Sequence, residues 1–179
     1  MAAILRLMAW GLCLFGNQTL AAPNIEHDHF APLLGTWLVE ARRLQRDGQT
    51  WIVSEHPAEW RFYRILDDQA IQDDWIDPAP HIEVPADART FGTNIRIYNS
   101  GLGQWEMAWI STTAREASEA SATFVNGEII MRLKDVIPER RNIFHGFTAD
   151  QFSWRQEWTF DGGETWTPVA YLEATRAEP

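Results

Sequence analysis

Charged side chains interrupt two apolar segments of this chain at positions where they would share a face with apolar neighbours. Asp73 stands two residues from both Ile71 and Trp75, and Arg96 stands two residues from Tyr98. Residues two apart lie on the same face of a β-strand. A carboxylate held in an apolar interior can act as a general acid or base, and an arginine can bind the anionic group of a ligand. These residues therefore predict an acid–base site or the polar end of a ligand site.

A further charged pair, Arg155 and Glu157, lies in the run from Phe152 to Phe160. An inward pair would contribute to a ligand site, whereas an outward pair would be a surface salt bridge. Burying an unpaired guanidinium costs several kcal/mol. We therefore expect any inward arginine to lie within hydrogen-bond reach of Asp73, Glu106 or Glu157.

Tryptophan is the outlier of the composition, with ten copies in 179 residues. Most stand at alternate positions in short runs, which is typical of β-strands that carry large apolar side chains toward one interior. Their rings would either fill a closed core or line a cavity for a small apolar ligand, and we expect most of them to face inward. The predicted ligand-binding residues are Trp37, Trp60, Asp73, Trp75, Arg96, Tyr98, Trp105, Trp109, Trp154 and Arg155.

Other kinds of chemistry have little support in the sequence. Cys13 is the single cysteine, which excludes an intrachain disulfide and a cysteine-based zinc site. The nucleophile, phosphate-binding, dinucleotide-binding and zinc-protease motifs are absent. Among the five histidines only His145 falls in a predicted strand, and a haem would need it to face inward, while His27 and His29 form a pair expected in solvent. We predict no metal and no cofactor, and we assign no catalytic residue.

Net charge and the N-terminal segment restrict the partners. The formal charge of -10 disfavours nucleic acid and anionic lipid. Residues 1–22 contain Arg6, an apolar run from Leu7 to Phe15 and a small-residue end, as in a secretory signal peptide. We expect cleavage after Ala21 or Ala22, and the run is too short to span a membrane. The prediction is one exported domain over residues 23–179, periplasmic or secreted, with no stable membrane span and no nucleic-acid partner.

The pattern after the leader indicates β-strands joined by short turns. Turns such as Asn126-Gly127 favour consecutive antiparallel pairing. The segment from Asp77 to Arg89, with three prolines, is the one long loop, and Phe30 to Leu34 forms a short helical turn that closes one end. No helical pattern would cover an open sheet, so we predict an all-β, antiparallel up-and-down barrel of about ten strands, with a two-sheet sandwich as the alternative. The predicted strands are Thr36 to Leu44, Glu59 to Leu66, Gln69 to Ile76, Gly92 to Tyr98, Gln104 to Thr112, Ala117 to Val125, Glu128 to Val136, Arg140 to Phe147, Phe152 to Phe160 and Thr165 to Thr175.

The segment from Thr159 to Trp166 resembles the Asp-box hairpin of sialidase propellers. In that motif the aspartate bonds to the backbone of the turn and the tryptophan packs beneath it. A propeller needs one copy in each of several blades, and this chain has one copy. We therefore expect a rigid turn and no sugar-cleaving activity.

The order of segments from about Phe30 to Arg176 resembles a bacterial family of secreted calycin-like barrels, neighbours of the lipocalins and fatty-acid-binding proteins. The resemblance rests on Gly35-Thr36-Trp37, which matches the Gly-x-Trp opening of lipocalins, on Trp60-Arg61-Phe62, and on Asp161-Gly162-Gly163. It implies a ten-stranded barrel with a cavity for a lipophilic ligand and brings no catalytic residues. Nitrobindin-like haem barrels share this shape, but their glycine-rich opening and iron ligand pattern are not matched.

Three functions are consistent with these observations. The first is a periplasmic or secreted binding protein for a small, mainly apolar ligand in a Trp-lined cavity, with room for an anionic end. The alternative is a lipocalin-like isomerase, cyclase or hydratase of a small isoprenoid or aromatic compound, with Asp73 or Glu157 as acid or base and Tyr98 or Arg96 as polarising partner. The third is a barrel with a filled core and no ligand.

Overall fold

The computed structural model describes residues 28–177, so the predicted leader, its cleavage site and His27 lie outside the described residues. Short 3-10 turns cover Ala31–Leu33 and Ala86–Ala88. The remaining regular structure is eleven β-strands. They are β1 (Gly35–Leu44), β2 (Trp51–Val53), β3 (Ala58–Ile65), β4 (Ala70–Asp77), β5 (Thr90–Asn99), β6 (Gln104–Ser111), β7 (Glu116–Val125), β8 (Glu128–Leu133), β9 (Glu139–His145), β10 (Gln151–Thr159) and β11 (Thr167–Arg176).

The sheet closes on itself because its first and last strands pair. From β3 to β11 each strand pairs antiparallel with the next, and β11 returns to β1 in a register that runs from Trp37↔Arg176 to Arg43↔Ala170. Along the other edge of β1, β3 pairs with the first half and β2 with the end. Because β2 and β3 share that edge, the barrel has ten strand positions. The predicted antiparallel calycin-like barrel is confirmed, and the sandwich alternative was wrong.

Every strand predicted from the sequence is present, with ends that differ by at most a few residues. The largest difference is at β8, which ends at Leu133 rather than Val136. The three residues of β2 were not predicted, since a segment that short has no measurable alternation. Within residues 28–177 no helix is long and apolar enough to cross a membrane.

Two turns have the geometry that their sequences predict. Asn126 and Gly127 have φ values of 52° and 83°, the two positive values that a type I′ hairpin requires. In the Asp-box segment, Asp161 accepts hydrogen bonds from the Thr159 hydroxyl at 2.7 Å and from the Thr165 backbone at 3.0 Å. The predicted rigid turn is confirmed.

The segment that precedes β1 closes one end of the barrel, as predicted. Phe30 and Leu33 are fully buried. The Phe30 ring meets Trp105 at 5.1 Å between centroids and Phe144 at 6.1 Å, both edge-on. Trp37 in β1 donates its indole N–H to the Leu33 carbonyl at 2.7 Å. We call this the closed end of the barrel.

Candidate functional site

An ion pair lies inside the barrel, between two neighbouring strands. Asp73 of β4 and Arg96 of β5 contact each other through carboxylate Oδ2 and guanidinium Nη2, and neither side chain has any solvent exposure. Trp60 of β3 donates its indole N–H to Asp73 Oδ1 at 2.7 Å. Asp73 therefore faces inward with Ile71, as its spacing predicted, and the inward arginine lies beside one of the expected acids.

Arg96 carries more hydrogen-bond donors than its surroundings use. Its guanidinium carbon lies 4.4 Å from the centre of the Phe30 ring and 5.3 Å from that of Phe62. Burial lowers the pKa of Arg96 to about 9, which leaves it protonated at neutral pH. Asp73 balances this charge, yet Arg96 Nε and Nη1 have no hydrogen-bond partner among the described residues.

Asn94 of β5, two residues before Arg96, adds a second unsatisfied group. It is 5% exposed, and its Oδ1 has no partner within residues 28–177. An unsatisfied buried polar group costs about 1–3 kcal/mol. A hydroxyl or carboxylic acid group could accept from Arg96 and donate to Asn94 Oδ1, which makes this pair of residues a fitting seat for such a group. The sequence analysis did not select Asn94, although its spacing from Arg96 places it on the same face.

The tryptophans separate into a buried set and a partly exposed set. Trp37, Trp60 and Trp105 are buried and belong to the core, which also holds Phe144 and Phe152. The partly exposed set is Trp75, Trp109, Trp154 and Trp158.

Three of the partly exposed indoles mark the end of the barrel opposite Phe30. Trp75, Trp109 and Trp158 lie near the C-terminal ends of β4, β6 and β10. We call this the open end. A Cβ atom at Gly92 of β5 would lie 2.3 Å from the Trp109 ring, so this indole lies flat against the glycine. The prediction that most, but not all, of these rings pack in one interior is confirmed.

Polar side chains that the sequence analysis did not select lie among these indoles. Gln156 donates to Asn142 Oδ1 at 3.0 Å and accepts from the Trp158 indole N–H at 3.1 Å. Arg140 of β9 lies 4.8 Å from the centre of the Trp158 ring. Gln156 stands between Trp154 and Trp158 at two-residue spacing, so alternation alone could have identified it.

Arg155 is not an inward group, which corrects the expectation. It follows Trp154 directly in β10 and so points to the other face. There it pairs with Glu157 at 2.9 Å and with Glu128 at 3.1 Å. Glu157 is also outward and takes Arg141 at 2.6 Å, so it is not the interior acid that the enzyme alternative considered.

The remaining candidates lie away from the Arg96 pair. Tyr98 lies at the closed end, where its ring meets Trp105 edge-on at 5.6 Å. His145 follows the buried Phe144 and so faces outward, opposite to what a haem ligand would need. Within residues 28–177 no group of three His, Cys, Asp or Glu side chains is placed to hold a metal.

Two solved structures share this fold. Rv2717c from M. tuberculosis superimposes with a TM-score of 0.58 and 12% identity, covering 88% of this chain and 100% of that one. The S-type phycobiliprotein lyase CPES from Guillardia theta superimposes with a TM-score of 0.56 and 9% identity, covering 86% of this chain and 93% of that one. No protein-family model and no curated protein matches the chain. At these identities the likeness supports the barrel fold alone.

Proposed function

We propose that this protein binds a small, mainly apolar ligand inside the open end of its barrel, with one oxygen-bearing group of the ligand seated at Arg96 and Asn94. The observation that carries the proposal is the set of buried polar atoms without partners, namely Arg96 Nε and Nη1 and Asn94 Oδ1. Buried polar groups in proteins are nearly always satisfied. A barrel that retains donors and an acceptor in its interior fits a protein that receives them from a ligand.

The apolar body of the ligand has a path from the open end. By register, Gly92 and Trp75 pair at this end, and Asn94 pairs with Trp109 one inward position deeper. Partly exposed indoles therefore stand between solvent and the polar seat. Flat apolar walls with a few polar groups at the base are typical of small-molecule sites.

The enzyme alternative retains one supporting observation. A neighbour of the same fold is named a lyase, and Asp73 is an inward carboxylate next to a positive charge. Arg96 and the Trp60 indole both stabilise the ionised form of Asp73, which makes it a weak base. If the barrel is an enzyme, Asp73→Asn should retain a co-purified ligand in native mass spectra but stop its conversion.

Export and relationship belong to the same proposal. The leader Met1 to Ala22 supports a periplasmic or secreted location, and N-terminal sequencing of the exported chain should find a start at Ala22 or Pro23. A mature protein that begins at Met1 would contradict this. We also propose that the chain is a divergent relative of the exported calycin-like barrels that its motifs resemble.

The proposed ligand site is tested with a fluorescent reporter and a matched pair of competitors. The mature protein is titrated with the neutral dye N-phenyl-1-naphthylamine while Trp emission is followed, and the dye is then displaced with 2-naphthol or with 2-methylnaphthalene. The two competitors differ by a hydroxyl in place of a methyl group. Because Arg96 and Asn94 would lose their partner, we expect 2-naphthol to bind about tenfold more tightly, equivalent to about 1.4 kcal/mol.

A double variant isolates the polar seat. Asp73→Leu combined with Arg96→Met removes both charges together, and the preference for 2-naphthol should then fall to less than about threefold. Arg61→Met, which breaks the outward Arg61–Glu59 pair, is the matched control and should leave the preference intact. If the dye does not bind the wild-type protein, the barrel is filled and the proposal fails.

A further inference from the structure

A surface depression of about 590 Å³ lies outside the barrel interior, between the loop that joins β8 to β9 and the β10–β11 turn. Its apolar lining includes Leu133, Val136 and Trp166, and Ile137 at its edge is 96% exposed. Arg132 and Arg140 also line it. Its volume lies in the range of small-molecule sites, about 300–1,000 Å³.

The arginines on the outer face beside this depression outnumber the acids that pair with them. Arg141 and Arg155 share Glu157, and Arg155 also reaches Glu128. Arg132, the cross-strand partner of Arg141, forms no ion pair with any residue between 28 and 177. An unpaired arginine is notable in a chain with a formal charge of -10.

Arg140 is the second arginine without a carboxylate partner in the described part of the chain. Its Nε is buried and has no hydrogen-bond partner there, and its guanidinium lies against the Trp158 ring. A buried N–H that faces a depression and lacks an acceptor indicates that an acceptor is supplied from outside. Arg140 thus gives a second indication of an anion site, independent of the charge count around Arg132.

Trp166 provides a fixed apolar wall beside these arginines. The guanidinium of Arg141 lies 4.0 Å from the centre of its ring and that of Arg132 lies 5.5 Å away. Its indole N–H donates to the Gly163 carbonyl at 3.2 Å, within the turn that Asp161 braces. The rigid turn thus holds an aromatic surface in place.

We propose that this depression is a second ligand site, separate from the barrel interior, that binds an apolar monoanion with its charged group at Arg132 and Arg140 and its apolar body against Trp166. Asp135 and Glu139 also line the depression, so the four charged side chains sum to zero. A polyanion would be repelled by those acids, whereas a single anionic group can lie on the arginine side. The proposal does not depend on a ligand in the barrel.

The probe for this site is 8-anilinonaphthalene-1-sulfonate, an aromatic monoanion. We expect it to bind the mature protein, and Arg132→Gln combined with Arg140→Gln should weaken its binding at least tenfold. The same double variant should change the affinity of neutral N-phenyl-1-naphthylamine less than twofold. Arg46→Gln, an exposed arginine in the β1–β2 turn, is the matched control and should leave both affinities unchanged. Inorganic pyrophosphate should not displace the sulfonate.

Each outcome either supports or overturns the site. Urea unfolding midpoints within error of the wild type confirm that the double variant is folded, and Trp166→Phe serves as a second probe if it is not. The proposal is overturned if the sulfonate does not bind, or if it binds the arginine variant as tightly as the wild type. It is also overturned if only the Asp73→Leu/Arg96→Met variant loses the sulfonate, because the anion then occupies the barrel. Failure of the neutral dye to bind concerns the barrel site alone.

Discussion

Replacing Asp73 by Asn would leave the guanidinium of Arg96 buried without its counter-charge. The substitution is nearly isosteric, and the amide oxygen can still accept from the Trp60 indole N–H. Both members of the ion pair are 0% exposed, so solvent cannot replace the lost carboxylate. Removing one partner of a buried pair costs about 3–5 kcal/mol.

This loss is large relative to the stability of a single domain, about 5–15 kcal/mol. At about 2–4 °C per kcal/mol for a domain of this size, the thermal midpoint should fall by about 6–20 °C. Urea unfolding followed by Trp emission measures the same change as a lower midpoint with an unchanged slope.

Two comparisons separate this explanation from a general loss of packing. The double variant Asp73→Leu/Arg96→Met removes both charges and should be within about 1 kcal/mol of the wild type, or more stable. Glu59→Gln breaks the outward pair with Arg61, whose nitrogen lies 3.0 Å from the carboxylate, and should cost no more than about 1 kcal/mol. The reasoning is refuted if Asp73→Asn costs less than about 1 kcal/mol, or if the double variant loses as much as the two single variants combined.

Three further substitutions test other parts of the barrel. A methyl group at Gly92 would lie 2.3 Å from the Trp109 ring, so Gly92→Ala should shift Trp emission to the red, and an unchanged spectrum in the presence but not the absence of Trp109 would contradict this packing. Burial lowers the pKa of His145 below 6.5, so the stability it contributes is present above about pH 6.5 and is lost as the pH falls through the folded-state value. Urea midpoints of the wild type should therefore fall relative to those of His145→Gln below pH 6.5, and parallel profiles would count against it. Hydrogen bonds from Thr165 hold the pKa of Asp161 well below 3.8, so Asp161→Ala should lower the thermal midpoint at neutral pH by an amount that shrinks as the pH falls below 3.8, whereas equal midpoints at neutral pH would show the turn to be unbraced.

The strand pattern was predictable because alternation and turn chemistry agree along almost the whole chain. The site was predictable where a strand has one clear parity, as at Asp73. It was not where charged and aromatic residues are adjacent: Trp154 and Arg155 cannot share a face, and their sequence does not say which one the interior takes. Asn94 was within reach of the same parity argument. Arg132 and Trp166 were not, since their proximity depends on how the β10–β11 turn folds over the outer face.

Closure of the barrel through β1 and β11 sets an order of events in folding. The contact that completes the sheet joins Trp37 to Arg176, nearly the full length of the described chain. A chain leaving the ribosome cannot form it until its last strand has been made, and the entropy of closing so long a loop delays it further. Until then β1 and β11 both present unpaired edges, which are the places where chains associate wrongly. Loss of the last ten residues would therefore do more than shorten the barrel, because it would leave β1 and β10 as permanent open edges and favour aggregation over a smaller folded product.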